Sequence, residues 1–326
     1  MLRILMYHRV ADLNDTPTVD SRSVSATPSC FAEQMRHLAR HYRVVSMPEV
    51  LDAVERKREL PERSVLITFD DAYADFAEIP WPILEQFRLP ATLFVPTAYP
   101  DHPELAFWWD RLYQAVHRTR RTELCDTPLG ILPLKTPDEK RRSLRVLQNY
   151  VTTLPHREGM RLVDSICARL VETPLGPGNV LSWDQLRRLA KEGVTLGSHT
   201  RTHPIMTQIS SSHIREEVKG SQQDLKTEIG FVLPIFCYPN GNHSDTVTAI
   251  LQEEGIRLGF TTVAGKNELE SADLLRLTRI GITPRTSLPV FRLRLLQIGI
   301  YLDAWRCRKR KSHSAQAFVP QQTSLV

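Results

Sequence analysis

Two carboxylates stand side by side in SVLITFDDAYADF, at Asp70 and Asp71, directly after an apolar run. Two imidazoles stand four positions apart in VTLGSHTRTHP, at His199 and His203. Adjacent carboxylates at the end of a buried strand repel each other and lose their water, and a divalent cation is the simplest agent that offsets both costs. For an isolated pair the plainer account is better: one Asp caps the next helix and the other faces water. The histidines change that. Pro204 forbids simple helix continuation, so His199 and His203 occupy a strand-end turn and can point at one centre. With one carboxylate they make a facial site that leaves positions open for water and substrate, as in catalytic metal sites. A divalent metal is expected, zinc first, although such mixed ligands also accept cobalt, iron or nickel.

The elements that must position these groups are legible as an alternation. Apolar runs at Leu2–Tyr7, Ser64–Phe69, Ala91–Val95, Val194–Gly197, Pro234–Tyr238 and Ile256–Thr262 alternate with amphipathic stretches at Phe31–His41, Pro48–Glu59, Phe76–Phe87, Trp183–Glu192, His213–Ile229 and Asp245–Glu254. That pattern predicts an α/β protein with a parallel sheet. Ser46, Ser182 and Asp245 read as helix-start residues. Several runs end in polar residues: LRILMY in His8, SVLITF in Asp70-Asp71, VTLGS in His199 and PIFCYP in Asn240-Gly241. A parallel barrel gathers its strand C-termini at one mouth, so residues distant in the chain can converge there. Residues 101–178 break the alternation and read as a mostly helical insertion. Trp108 and Trp109 within it either pack the insertion onto the main domain or form a sugar-stacking platform, with packing the commoner use of such a pair.

The runs ITFDDAYADF, GSHTRTHP and FCYPNG, in this order and spacing, resemble the polysaccharide deacetylase family, carbohydrate esterase family four. LMYHRV, LSWDQLRRLAKEGVTLGSHT and LLRLTRIGI are similar to its bacterial cytoplasmic branch in exopolysaccharide and lipopolysaccharide synthesis. The resemblance covers about residues 1–283. It implies a distorted (β/α) barrel of the glycoside hydrolase/deacetylase type and metal-dependent removal of acetyl from an N-acetylated sugar. By this resemblance Asp70 is the general base, and Asp71, His199 and His203 are the metal ligands. The turn Tyr238-Pro239-Asn240-Gly241 would contact substrate, with an Asn240 backbone N–H as oxyanion donor. Three departures stand out. Ala72 replaces the usual Gly, and since Ala disfavours a positive φ a less strained or slightly altered turn is expected. Cys237 stands where many members carry the Arg that orients the base, leaving Arg279 as a possible substitute. No LxH histidine follows to protonate the leaving amine. His8 and His243 are the candidate acids, with a structural hydrogen bond at the barrel mouth as the alternative for His8. Asp75 reads as a supporting or helix-start residue.

Composition sets the outer limits. The 326 residues are 41% hydrophobic and 24% charged with a net charge of +5, ordinary for a folded domain. Residues 284–311 carry +7 and the remainder −2, so a nucleic-acid-binding catalytic domain is not indicated. Residues 284–326 read as a basic helix and a disordered tail. The stretch 291–311 is either a last packed helix or a peripheral membrane contact. Five scattered cysteines without a CxxC pair fit a reducing cytoplasm, at the inner membrane face if that stretch docks. The expected partner is an N-acetylated glycan or a lipid-linked sugar. Two other functions stay open: a metal-dependent amidohydrolase on a small cyclic amide or imide, and an inactive glycan-binding relative.

Overall fold

A computed structural model describes residues 1–12 and 20–296. The chain opens with β1 (Arg3–Tyr7), β2 (Arg9–Val10), β3 (Val24–Ala26), α1 (Pro28–His41), β4 (Arg43–Val44), α2 (Met47–Glu55) and β5 (Ser64–Phe69). Next come α3 (Asp75–Glu78), α4 (Pro80–Gln86) and β6 (Thr92–Val95). The insertion then holds α5 (Trp108–Arg118), β7 (Glu123–Thr127), β8 (Gly130–Pro133), α6 (Pro137–Val151) and α7 (His156–Leu170). The alternation resumes with α8 (Trp183–Lys191), β9 (Thr195–Ser198), α9 (Ser211–Ile229), β10 (Ile235–Cys237), α10 (Asp245–Glu253), β11 (Leu258–Phe260), β12 (Ile280–Gly281) and α11 (Leu288–Leu295).

The parallel sheet runs β11-β10-β9-β6-β5-β1-β12, with β4 beside the first residues of β5. A parallel bridge between Phe260 and Leu277 carries the curl from β11 round toward β12. The sheet is therefore a distorted barrel, and β5, buried at every residue, is a strand covered on both faces. Period-two alternation sorts its side chains. Ile4, Leu66, Phe94, Ile235 and Leu258 join one apolar cluster, while Leu5, Val65, Ile67 and Leu93 join another with the helices.

Ser46 and Ser182 cap α2 and α8 in reciprocal capping boxes with Glu49 and Gln185. The expectation for Asp245 is corrected: Ser244 is the cap, accepting from Val247 N, and Asp245 is the first helical residue. The stretch expected as one helix over 76–87 is two, broken at Ile79 ahead of Pro80, because proline has no N–H to continue the ladder. The insertion is mostly helical, with the unforeseen antiparallel hairpin β7–β8. It has its own apolar cluster, including Leu112, Leu124, Leu147, Val163 and Ile166. Of the stretch 291–311, residues from 297 on lie outside the described residues, as does the tail. The carbonyl of Leu295 accepts from Arg3 Nε at 2.8 Å, which places the end of α11 beside the start of β1, away from the mouth.

Candidate metal centre at the barrel mouth

β5 ends at Phe69, and the backbone of Asp70 donates to Tyr7 O at 2.9 Å. The chain then turns sharply: Asp71 and Ala72 both adopt left-handed φ, 71° and 50°. The expected relaxed turn at Ala72 is thus corrected. An L-residue in this region costs about 1–2 kcal/mol, and the surroundings hold it: Leu181 N donates to Ala72 O at 2.9 Å, and Ala72 is buried. Thr200, His203 and Asn240 also have positive φ, 67°, 57° and 55°. Strain of this kind persists where neighbours over-determine it.

β9 delivers His199, whose N–H donates to Val95 O, and the following turn delivers His203. Asp71 Oδ1 lies 3.4 Å from His199 Nε2 and 3.3 Å from His203 Nε2. These atoms form one of two candidate metal-holding groups among the described residues. His199 Nδ1 is 2.8 Å from the Cys237 carbonyl. Since a carbonyl only accepts, Nδ1 carries the hydrogen and Nε2 presents its lone pair toward Asp71. Asp71 Oδ1 is buried with no hydrogen-bond partner. A buried carboxylate oxygen facing two imidazole nitrogens fits a cation and is costly without one. Burial raises the pKa of Asp71, but the His199 and His203 rings facing it outweigh that and hold the value well below the carboxylate range. At His199 burial is likewise outweighed, by Cys237 and Asp71, and its pKa is raised. At His203 burial wins and its pKa is lowered.

Asp70 is turned the other way. Arg279 Nη1 and Nη2 each donate to one Asp70 oxygen at 2.7 Å. Arg279 also donates to Thr68 Oγ1, Thr261 O and Cys237 Sγ, and it is wholly buried. Arg279, arriving from the segment just before β12, thus supplies the guanidinium at Asp70, with the Cys237 thiol against it. Burial pushes the Asp70 pKa up, but Arg279 outweighs it and keeps the carboxyl ionised. Asp70, His199 and Cys237 make the second candidate group. Burial raises the pKa of the thiol, and Arg279 already occupies both Asp70 oxygens, so the Asp71 group fits a cation better.

A cavity of about 420 Å³ opens on these groups, lined by His8, Asp70, Asp71, His199, His203, Asn240 and Thr262, with Trp108, Trp109 and Gln148 of the insertion. His8 Nε2 is 3.9 Å from Asp70 Oδ2. His243 does not line it; its Nδ1 meets Gly241 O at 3.0 Å. Tyr238, Pro239 and Gly241, expected to contact substrate, do not line it either. The Tyr238 hydroxyl donates to Leu275 O, and a Cβ at Gly241 (φ 74°) would sit 2.6 Å from Thr262 N. These residues shape the turn that presents Asn240. Asp75 Oδ2 accepts from Val10 N and so ties β2 to α3.

Sequence reasoning missed Glu217. This buried carboxylate on α9 accepts from Arg201 N, Thr202 N and Thr202 Oγ1, fixing the turn that carries His203. The available signal was a charge on the inner face of α9, in line with Ile214, Val218, Ser221 and Leu225. Trp109 does two things. It stacks on Phe107 at 4.5 Å, meets His203 edge-on at 4.9 Å, donates to Tyr73 OH, and lines the cavity with Trp108. Packing and lining are compatible.

The polysaccharide deacetylase family profile matches residues 57–127 and 136–259. Over 100 residues the chain is 32% identical to the poly-beta-1,6-N-acetyl-D-glucosamine N-deacetylase of Escherichia coli K12, covering 30% of this chain and 14% of that protein. The chain thus spans a small part of that relative's length. The Streptococcus pyogenes deacetylase PplD, solved with acetate, superposes with a TM-score of 0.61 at 20% identity over 90% of this chain and 98% of its own. IcaB from Ammonifex degensii superposes with a TM-score of 0.58 at 20% identity, covering 90% and 97%. At these identities the structural likeness establishes the fold.

Proposed function

The chain belongs to the polysaccharide deacetylase family, and from that premise we propose that it is a metal-dependent hydrolase removing N-acetyl groups from an amino-sugar-containing glycan or glycolipid intermediate in bacterial cell-surface polysaccharide synthesis. One observation carries the reading: Asp71 Oδ1 within 3.4 Å of both His199 Nε2 and His203 Nε2, beside an Asp70 held separately by Arg279. Asp71, His199 and His203 would hold the cation, with zinc favoured by the two imidazoles. When bound, it supplies Lewis acidity that lowers the pKa of a water and polarises the amide carbonyl.

The protein's own groups do the rest. Asp70, aimed by the Arg279 fork, takes a proton from the attacking water as general base. The carbon–nitrogen bond breaks, acetate leaves with the water's oxygen, and the amine takes a proton. His8 supplies that proton, supported by its place in the cavity near Asp70. The Asn240 backbone, at the cavity wall, is assigned the N–H donor to the oxyanion, a contribution of about 3–4 kcal/mol.

Acetate release and metal content, measured together, test this. Asp71→Ala and His203→Ala are expected to purify without metal. Asp70→Asn is expected to keep the metal and lose about 10²–10⁴-fold in turnover. A fully active Asp70→Asn enzyme rejects Asp70 as the base. Ring-opened product from a cyclic imide moves the activity to small amides, and glycan affinity without acetate leaves a non-catalytic binder.

The proposal also includes a reducing cytoplasmic location and contact of 291–311 with the inner face of the membrane. The location is supported by unpaired Cys30, Cys125, Cys167 and Cys237. The contact is supported by exposed Val290, Leu293 and Leu296 around Arg292. No helix among the described residues is long and apolar enough to cross a membrane.

A further inference from the structure

The insertion reaches into the cavity through α6, and there Gln148 is unusual. It is only 4% exposed, yet it lines the same cavity as Asp70 and Asp71. Its Nε2 donates to Asp20 Oδ2 and to the carbonyl of Trp109, both at 3.3 Å. Both partners are pure acceptors, so turning the amide over would set oxygen against oxygen twice, and the orientation is settled. Asp20 is in turn gripped by Arg22, whose Nη2 lies 2.9 Å from Oδ2. Gln148 Oε1 is therefore the acceptor left over, buried and without a hydrogen-bond partner on a side chain that lines the cavity. Buried acceptors are nearly always satisfied, and one left open beside a reaction centre calls for a donor. A sugar brings hydroxyl donors. The side chain also sits on a helix, anchored at its other end, which suits recognition better than a loop does.

We propose that Gln148 is a specificity-determining residue whose Oε1 accepts a hydrogen bond from a hydroxyl of the glycan, so that the insertion reads the sugar while the barrel cleaves the amide. The inference rests on the deacetylase reading above and assigns it a recognition group outside the metal centre.

The test compares the zinc-loaded full chain with Gln148→Met, on β-1,6-linked N-acetylglucosamine oligomers and on the same oligomers lacking single hydroxyls. The variant is expected to raise KM about five- to tenfold, the worth of one neutral hydrogen bond, with kcat within about twofold and metal content unchanged. One deoxy oligomer should cost the wild type a similar factor and cost the variant nothing further. Equal KM values for the two proteins, or losses that simply add, overturn the assignment. The wild-type comparison of intact and deoxy oligomers needs no variant to fold; no sensitivity to any hydroxyl overturns it as well. If the wild type releases acetate and Gln148→Met is indistinguishable from it, the deacetylase reading stands and this inference alone falls. If the wild type neither binds an oligomer, by calorimetry, nor hydrolyses one, both fall.

Discussion

Arg279 and Asp70 form a buried ion pair with both Nη atoms of the guanidinium engaged, and each partner is dear to leave alone. Removing one member of such a pair typically costs 3–5 kcal/mol, because the other charge stays buried without compensation. Arg279→Met should therefore lower unfolding stability by about that amount, read by denaturant titration, and adding Asp70→Asn should restore most of it. Unchanged stability in the single variant would show that Asp70 reaches water or another partner. His199, His203 and one carboxylate of the Asp70-Asp71 pair were readable from spacing because strand-end polar residues in a parallel barrel have one place to go, and the family resemblance singled out Asp71. Arg279 was readable only as an available charge. Its partner is 209 positions away in the chain, and nothing local to LLRLTRIGI says that the guanidinium runs inward.

At the scale of elements, the strands were the most legible part: Ser64–Phe69 keeps its expected bounds, Val194–Gly197 shifts by one residue to Thr195–Ser198, and the other predicted runs shrink by a residue or two at their ends. Helix starts followed from side chains that accept backbone N–H groups. The break at Ile79 was signalled by Pro80, yet the apolar pattern on both sides hid it. The turn after β5 shows the limit of composition, because Ala72 accepts a left-handed backbone when Leu181 and its burial impose it. At the start of α3, Asp75 offers a pH test. Burial raises its pKa to about 6 despite the Val10 N–H and Arg9. The folded state then keeps this proton to higher pH than the unfolded chain does. Stability is therefore lost as pH rises from about 4 through 6, by up to about 3 kcal/mol. Asp75→Asn should match the wild type near pH 4 and exceed it at pH 8 in thermal melts. A constant difference across that range would mean that Asp75 titrates normally.

At the scale of the whole molecule, barrel and insertion build one cavity from parts with separate apolar cores. Arg9 joins them, lying 3.6 Å over the Tyr73 ring and 3.0 Å from Asp110 of α5. A ligand that binds only the folded state stabilises it by about 4 kcal/mol at a thousandfold excess over Kd. Zinc added to chelator-treated protein should thus raise Tm by several degrees, and Asp71→Ala should not respond. An equal rise in that variant would place the zinc elsewhere. The end of α11 lies at the far end of the barrel from the mouth. Docking of 291–311 on a lipid surface would hold the mouth away from that surface. Sedimentation with anionic vesicles is expected for the full chain at low salt and lost after truncation beyond Pro284; full recovery of the intact chain in the supernatant rejects the contact.

By itself the sequence determined what recurs with a short period or stands beside a strand end. The α/β alternation, the capping serines, the paired carboxylates and the HxxxHP turn are of this kind, because backbone geometry repeats every two or 3.6 residues and places neighbours predictably. Only the tertiary structure decided which distant groups close on them: Arg279 on Asp70, Glu217 under the His203 turn, Gln148 at the cavity wall and Tyr238 turned away from it. Those contacts depend on how strands curl and how an insertion packs, and burial then makes each pairing compulsory, since a polar group cut off from water must find its partner inside the protein.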